Sequence, residues 1–301
     1  MKIFRSILCT CGFLLLSASF ASAQQAGVTA PLSAPWEPTN VRHGTVAAVW
    51  YPSPVTNTER RMLVYTPPGY ESSDATYPVL YLFHGGGGNE DNWIRSGLAN
   101  VALDNLIAEG RIEPMIVVMP NANWDLPSAP EYSLPAPGRA DGSPLMGLDM
   151  GKAEDDIVDA EIPYIEAHFR VLPGRENRAI AGLSLGGGIA ISVGLRRLDL
   201  FASVGEFSTG LFGGVSGAAY EPFDVETLSP GFLDDPAATN EKLDVLYFSC
   251  GTEDPRMAFT VEAAQKLRND GIDVTLRSFV GGHEWSVWRD SLADFAARIF
   301  R

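Results

Sequence analysis

Between Arg178 and Gly188 the chain reads Arg-Ala-Ile-Ala-Gly-Leu-Ser-Leu-Gly-Gly-Gly. Arg178-Ala179-Ile180-Ala181 is short and apolar enough for a strand. Ile189 to Leu198 suits a helix, and Gly182-Leu183-Ser184-Leu185-Gly186 joins the two. Glycine two residues either side of a serine, between a strand and a helix, marks a sharp turn that lifts the hydroxyl above a sheet edge under backbone strain. Ser184 is therefore the candidate nucleophile. The motif alone recurs by chance in glycine-rich chains, so its meaning depends on what lies elsewhere.

Outward from this turn, strand and helix patterns alternate. Gly44–Trp50 and Arg60–Tyr65 read as strands, joined through Tyr51-Pro52-Ser53-Pro54 and the polar stretch to Glu59. Val79-Leu80-Tyr81-Leu82-Phe83 is apolar at every position, as a strand covered on both faces requires. Leu98–Glu109 predicts a helix, Met115–Met119 a strand, Glu154–Phe169 a helix and Phe201–Phe207 a strand. Val245–Ser249, Phe259–Asn269, Val274–Phe279 and Trp285–Phe300 continue as strand, helix, strand and helix. Long loops fill 121–150 and 208–243. This order predicts an α/β fold of the hydrolase type, a mostly parallel central sheet with helices on both faces.

Residues 1–23 read as a signal peptide. Lys2 and Arg5 precede the apolar Ile7–Leu16, and Ala21-Ser22-Ala23 is a small-residue cleavage site. The apolar run is shorter than the roughly 20 residues of a membrane span, so a secreted or periplasmic protein without a membrane anchor is expected. Residues 24–40 read as an extended leader and 41–301 as one catalytic domain. Beyond the signal peptide the only cysteine is Cys250, which excludes an internal disulfide in the exported protein. The net charge of −15 argues against nucleic acid and anionic membranes as partners.

A serine hydroxyl needs a base to take its proton. The chain has four histidines, His43, His84, His168 and His283. The chain order serine, acid, histidine leaves only His283, in Val280-Gly281-Gly282-His283-Glu284-Trp285 after the last predicted strand. The acid belongs in Cys250-Gly251-Thr252-Glu253-Asp254-Pro255. Asp254 is the choice and Glu253 the competitor one residue away. His84-Gly85-Gly86-Gly87-Gly88 follows a strand directly, where such a loop supplies a backbone N–H to an oxyanion. Gly86 and Leu185 are the candidate donors, and the His84 side chain is expected to order the turn. Asn123 and Trp124, after Met119, and Trp285, beside His283, are the candidate substrate-binding residues. For Trp124 a packing role competes, because an aromatic face suits either a ligand or the core. No His, Cys and Asp spacing matches a zinc site, so no metal is expected.

Tyr65-Thr66-Pro67-Pro68-Gly69-Tyr70, Tyr77 to Gly87, Asp91-Asn92-Trp93 and Ile162-Pro163-Tyr164-Ile165-Glu166 resemble the esterase D-like α/β-hydrolases, as do the elbow and the Cys250 and His283 loops. Within these the chain is most similar to carbohydrate esterase family 1, the feruloyl and acetylxylan esterases. The resemblance spans roughly residues 42–301. It implies cofactor-free hydrolysis of acyl esters on plant cell-wall polysaccharide, feruloyl first and acetyl second, with Asp254 as the acid. Feruloylated or acetylated polysaccharide is then the expected partner. Two readings of other classes compete: a mycolyltransferase-like acyltransferase and a non-catalytic carbohydrate-binding protein.

Overall fold

The computed structural model describes residues 34–124, 150–209 and 224–301. The expected signal peptide, most of the leader, and the greater parts of the loops predicted at 121–150 and 208–243 lie outside the described residues. Eight strands form one sheet in the order β1-β2-β4-β3-β5-β6-β7-β8. They are β1 (Thr45–Ser53), β2 (Thr58–Thr66), β3 (Val79–Phe83), β4 (Ile116–Pro120), β5 (Arg178–Leu183), β6 (Ser203–Phe207), β7 (Val245–Gly251) and β8 (Thr275–Phe279). The pairings β1/β2 and β2/β4 are antiparallel; every pairing from β4 through β8 is parallel. This is the α/β-hydrolase architecture.

The central parallel strands are largely apolar, β3 and β4 along their whole length, because each of their faces meets a different core. Val79, Tyr81, Phe83, Ile116, Val118, Ile180 and Phe248 lie in one cluster. Leu80, Leu82, Val117, Met119, Ala181 and Tyr247 lie in the other. Alternate side chains point to opposite faces of a strand, so a strand packed on both faces loses the polar–apolar alternation. Helices α1 (Asn92–Arg95), α2 (Ala99–Ala108) and α9 (Trp285–Ala296) cover the second cluster. Helices α3 (Met150–Asp156), α4 (Ile162–His168), α5 (Leu185–Arg196) and α8 (Met257–Asn269) cover the first. Two short helices, α6 (Val225–Leu228) and α7 (Pro236–Glu241), occupy the stretch read as an irregular crossing. Each starts on an aspartate cap, Asp224 and Asp235, whose carboxylate accepts a backbone N–H of the first turn.

Two other expectations need correction. β1 does not stop at Trp50; it runs through Pro52, paired with Glu59, to Ser53, paired with Thr58. β1 is an edge strand, where a proline without an N–H is tolerated, and Tyr51 is fully buried beneath it. The helix predicted over 154–169 is not continuous α-helix. Between α3 and α4, Ile157–Glu161 widens into a π turn, which sets Asp156 and Glu161 around one buried hydroxyl. Tyr51 Oη lies 2.8 Å from Asp156 Oδ2 and 3.0 Å from Glu161 Oε1. That hydroxyl has a single proton. Burial, reinforced by the Asp156 charge, pushes the Glu161 carboxyl well above its usual range. Both carboxyl groups lie within reach of that one donor, so Tyr51 donates to Asp156 or to Glu161 but not to both at once. Arg60 lies 3.4 Å from the same Asp156 oxygen.

Candidate active site

The turn at Ser184 has the strain its sequence predicts. Ser184 sits at φ 51° and ψ −117°, a region that costs a non-glycine residue on the order of 1–3 kcal/mol. The flanking glycines are steric necessities: a Cβ on Gly182 would stand 2.3 Å from Gly186 O, and one on Gly186 2.4 Å from His84 O. The Ser184 N–H donates to Phe207 O at 2.8 Å, tying the elbow to the end of β6.

His283 lies in the loop between β8 and α9. Ser184 Oγ is 3.0 Å from its Nε2, and its Nδ1 is 2.7 Å from Asp254 Oδ2. A carboxylate accepts only, so Nδ1 carries the proton and Nε2 is left to accept from the serine hydroxyl. Asp254 is buried, and burial alone would raise its pKa. The Arg256 N–H, at 3.0 Å from Oδ1, and the His283 bond outweigh that and hold it below the ordinary aspartate value. Burial lowers the His283 pKa, and the Asp254 bond offsets part of the shift. Glu253 is exposed and donates its backbone N–H to Gly281 O; the structure brings Asp254 to the imidazole.

The 84–88 loop packs against the elbow. A Cβ on Gly85 would meet Ser184 Cβ at 3.4 Å, and one on Gly86 would meet Leu185 Cδ2 at 3.5 Å. Leu185 opens α5, so its N–H has no partner within the helix. Neither it nor the Gly86 N–H meets a backbone acceptor among the described residues. The His84 ring orders this loop: Nδ1 lies 2.8 Å from Gly85 O, and Nε2 accepts the Ala122 N–H at 2.9 Å. Nδ1 therefore carries the proton. Full burial lowers the pKa of His84 to about 4, so the ring is neutral.

The three candidate binding residues separate. Asn123 Nδ2 donates to Gly88 O at 2.8 Å, bracing the same loop from the end of β4. Trp285 packs edge-to-face on Trp93 and Trp288 and stays partly exposed beside His283. Trp124 is 9% exposed, its Nε1 donates to Asp156 at 2.9 Å, and Arg60 stacks on its ring. Its indole belongs to the buried Tyr51–Asp156–Glu161 cluster, the arrangement that the competing packing role describes. Sequence reasoning missed Arg256, and also Thr209, whose hydroxyl donates to Ser184 O at 2.9 Å. Neither carries a recognisable motif.

Residues 53–299 match the model of the "Putative esterase" family. The chain belongs to that family. This esterase is 30% identical over 267 residues to an endo-1,4-beta-xylanase/feruloyl esterase of Xylanibacter ruminicola, covering 87% of this chain and 32% of the relative. It is 34% identical over 148 residues to the Mycobacterium tuberculosis esterase Rv1288, covering 48% of this chain and 28% of that one. The chain thus spans about a third or less of the length of these curated relatives. Among solved structures, a ferulic acid esterase is 30% identical with a TM-score of 0.69, over 86% of this chain and 100% of that one. A CE1 ferulic acid esterase from Anaeromyces mucronatus, in complex with ferulic acid, has a TM-score of 0.73 at 24% identity, over 91% and 97% of the two chains. The second likeness speaks for the fold alone.

Proposed function

We propose that this chain is an exported serine esterase that releases feruloyl groups from plant cell-wall polysaccharide. The observation that carries this reading is the continuous relay from Ser184 Oγ through His283 to Asp254, at 3.0 and 2.7 Å. Ser184 attacks the ester carbonyl as its proton passes to His283 Nε2. Asp254 stabilises the resulting imidazolium and fixes its orientation. The Gly86 and Leu185 amides hold the oxyanion. His283 then protonates the departing sugar oxygen; water attacks the acyl-enzyme as its proton passes to the same Nε2, and His283 returns that proton to Ser184 Oγ as the acid leaves. Loss of one oxyanion donor costs about 3–4 kcal/mol of transition-state stabilisation in enzymes of this logic. No step calls for a metal or a cofactor.

The feruloyl assignment draws on the names of the Xylanibacter relative and of the ferulic acid esterase structure, each 30% identical. Acetylated xylan is the second substrate, supported by a match to an acetyl esterase of Caldicellulosiruptor saccharolyticus over 44% of this chain. Export rests on the Lys2-to-Ala23 pattern, and N-terminal sequencing of the secreted protein tests it. The deciding experiment compares kcat/KM on methyl ferulate, acetylated xylan and a short-chain aryl ester, with Ser184→Ala as control. The proposal expects preference for methyl ferulate and loss of turnover in Ser184→Ala. Retained turnover in that variant removes the serine mechanism. Partitioning of the acyl group to added sugar alcohol rather than water indicates a transferase, and polysaccharide binding without an acyl-enzyme burst indicates a binding protein.

A further inference from the structure

Glu206 is the one acidic side chain on the five parallel strands β3 to β7, and it is fully buried. It lies one residue before the end of β6, opposite Gly182 on β5 and Phe248 on β7. Its Oε2 accepts the Thr209 N–H at 2.9 Å, while Oε1 has no hydrogen-bond partner among the described residues. Between the two, Ser208 takes φ 57° and donates its N–H to Ser249 O at 2.7 Å. This reversal carries Thr209 back over the elbow, where its hydroxyl donates to Ser184 O. Gly187 makes room for it, since a Cβ there would fall 1.9 Å from Thr209 Oγ1. The segment 206–209 therefore holds Ser184 at both ends of the residue: Phe207 O takes its N–H and Thr209 binds its carbonyl.

We propose that Glu206 and Thr209 are positioning residues for the nucleophile, Thr209 holding the strained Ser184 backbone and Glu206 holding Thr209. The inference rests on the serine mechanism proposed above. A strained backbone persists only when its surroundings over-determine it, and these two bonds supply that constraint from β6. Neither residue touches the reacting atoms.

Glu206 also gives the brace a charge state. Burial raises its carboxyl to about 8, with the Thr209 bonds and the Asp254 charge as smaller influences. Asp254 is the charged group acting on it, and Cys250 is the other titratable neighbour on β7, with its thiol raised to about 12. α5 carries no ionisable side chain before Arg196, and the charged residues of α8, Glu262, Lys266 and Arg268, are all exposed. At neutral pH Glu206 is an acid. Its ionisation adds a negative charge behind Ser184, opposing the charge that grows on the oxyanion.

The test is kcat and KM on a short-chain aryl ester from pH 5 to 9.5 for the parent, Thr209→Val, Thr209→Ser, Glu206→Gln and Glu206→Ala, with melting temperatures recorded in parallel. Thr209→Val, which keeps the shape and loses the hydroxyl, should lower kcat about tenfold with KM little changed, and Thr209→Ser should restore most of it. Glu206→Gln, which still accepts from Thr209 but does not ionise, should lose less than Glu206→Ala. The parent's kcat should fall near pH 8, and Glu206→Gln should lack that fall. Parental kcat in Thr209→Val, or an unchanged alkaline limb in Glu206→Gln, overturns the inference. Turnover surviving in Ser184→Ala instead overturns the serine mechanism, which separates the two failures.

Discussion

The imidazole of His283 stands edge-on to the indole of Trp288, with ring centroids 4.8 Å apart and planes at 87°. Trp288 is in turn edge-on to Trp285, and Trp285 to Trp93, at 5.2 and 5.4 Å. Asp254 restrains the ring through Nδ1, and Trp288 restrains it through a face or edge that no hydrogen bond reaches. An aromatic pair of this geometry contributes about 0.5–1.5 kcal/mol beyond its buried area. Trp288→Leu should therefore lower kcat on methyl ferulate by about fivefold to tenfold with a smaller change in KM, and Trp288→Phe should recover most of the loss. Equal kcat in all three proteins would remove Trp288 from the positioning of the base.

The pH dependence follows from the same ring. Burial holds His283 below the ordinary histidine value, so the neutral base is available at lower pH than an exposed imidazole would allow. kcat/KM should rise with pH along an acid limb whose midpoint lies below about 6.5. Asp254→Asn removes the acceptor that sets the Nδ1–H tautomer. It should lower kcat on the order of 10⁴-fold, as the corresponding change does in the serine protease template. Glu253→Gln should leave kcat close to parental, because Glu253 is exposed and its backbone N–H bonds to Gly281 O. The reverse pattern would move the acid by one residue.

Much of this arrangement was legible because the chemistry is carried by strand ends and their loops. Val79–Phe83 announces a doubly covered strand, and the loop that follows it can lie only at that strand's end. What stayed hidden depends on contacts distant in sequence. Pro52 reads as a break, yet Ser53 pairs with Thr58 across a hairpin edge that demands no N–H. Asp156 and Glu161 fall within the one helix predicted over 154–169; the π turn that joins them forms around Tyr51, more than 100 residues away. Glu206 looks like a flaw in an apolar strand until Ser208 turns back and brings Thr209 N–H to it. Local pattern specifies an element, whereas a buried polar partner comes only with the tertiary fold.

His84 links the site to acid stability. Its ring is buried and neutral, with a pKa of about 4, against about 6.5 when unfolded. Below about 6.5 the unfolded chain takes up a proton that the folded chain refuses. Stability is thus lost as pH falls from that value to about 4, by up to about 3 kcal/mol. Urea unfolding at several pH values should show a smaller acid loss in His84→Gln than in the parent, even though the variant is less stable at pH 7. Parallel curves for the two proteins would show that His84 does not titrate in this way.

Trp124 and Tyr51 provide the last test, because they separate the fold from substrate choice. Tyr51→Phe removes the hydroxyl that Asp156 and Glu161 share, with all three groups buried. Stranding a buried polar group costs about 1–3 kcal/mol, and the urea midpoint should fall accordingly. Trp124→Phe takes another donor from Asp156 and should destabilise by a similar amount. If the indole serves the core, the ratio of kcat/KM on methyl ferulate to that on a short-chain aryl ester stays the same in Trp124→Phe as in the parent. A selective loss on the ferulate, with stability unchanged, would return Trp124 to the binding surface.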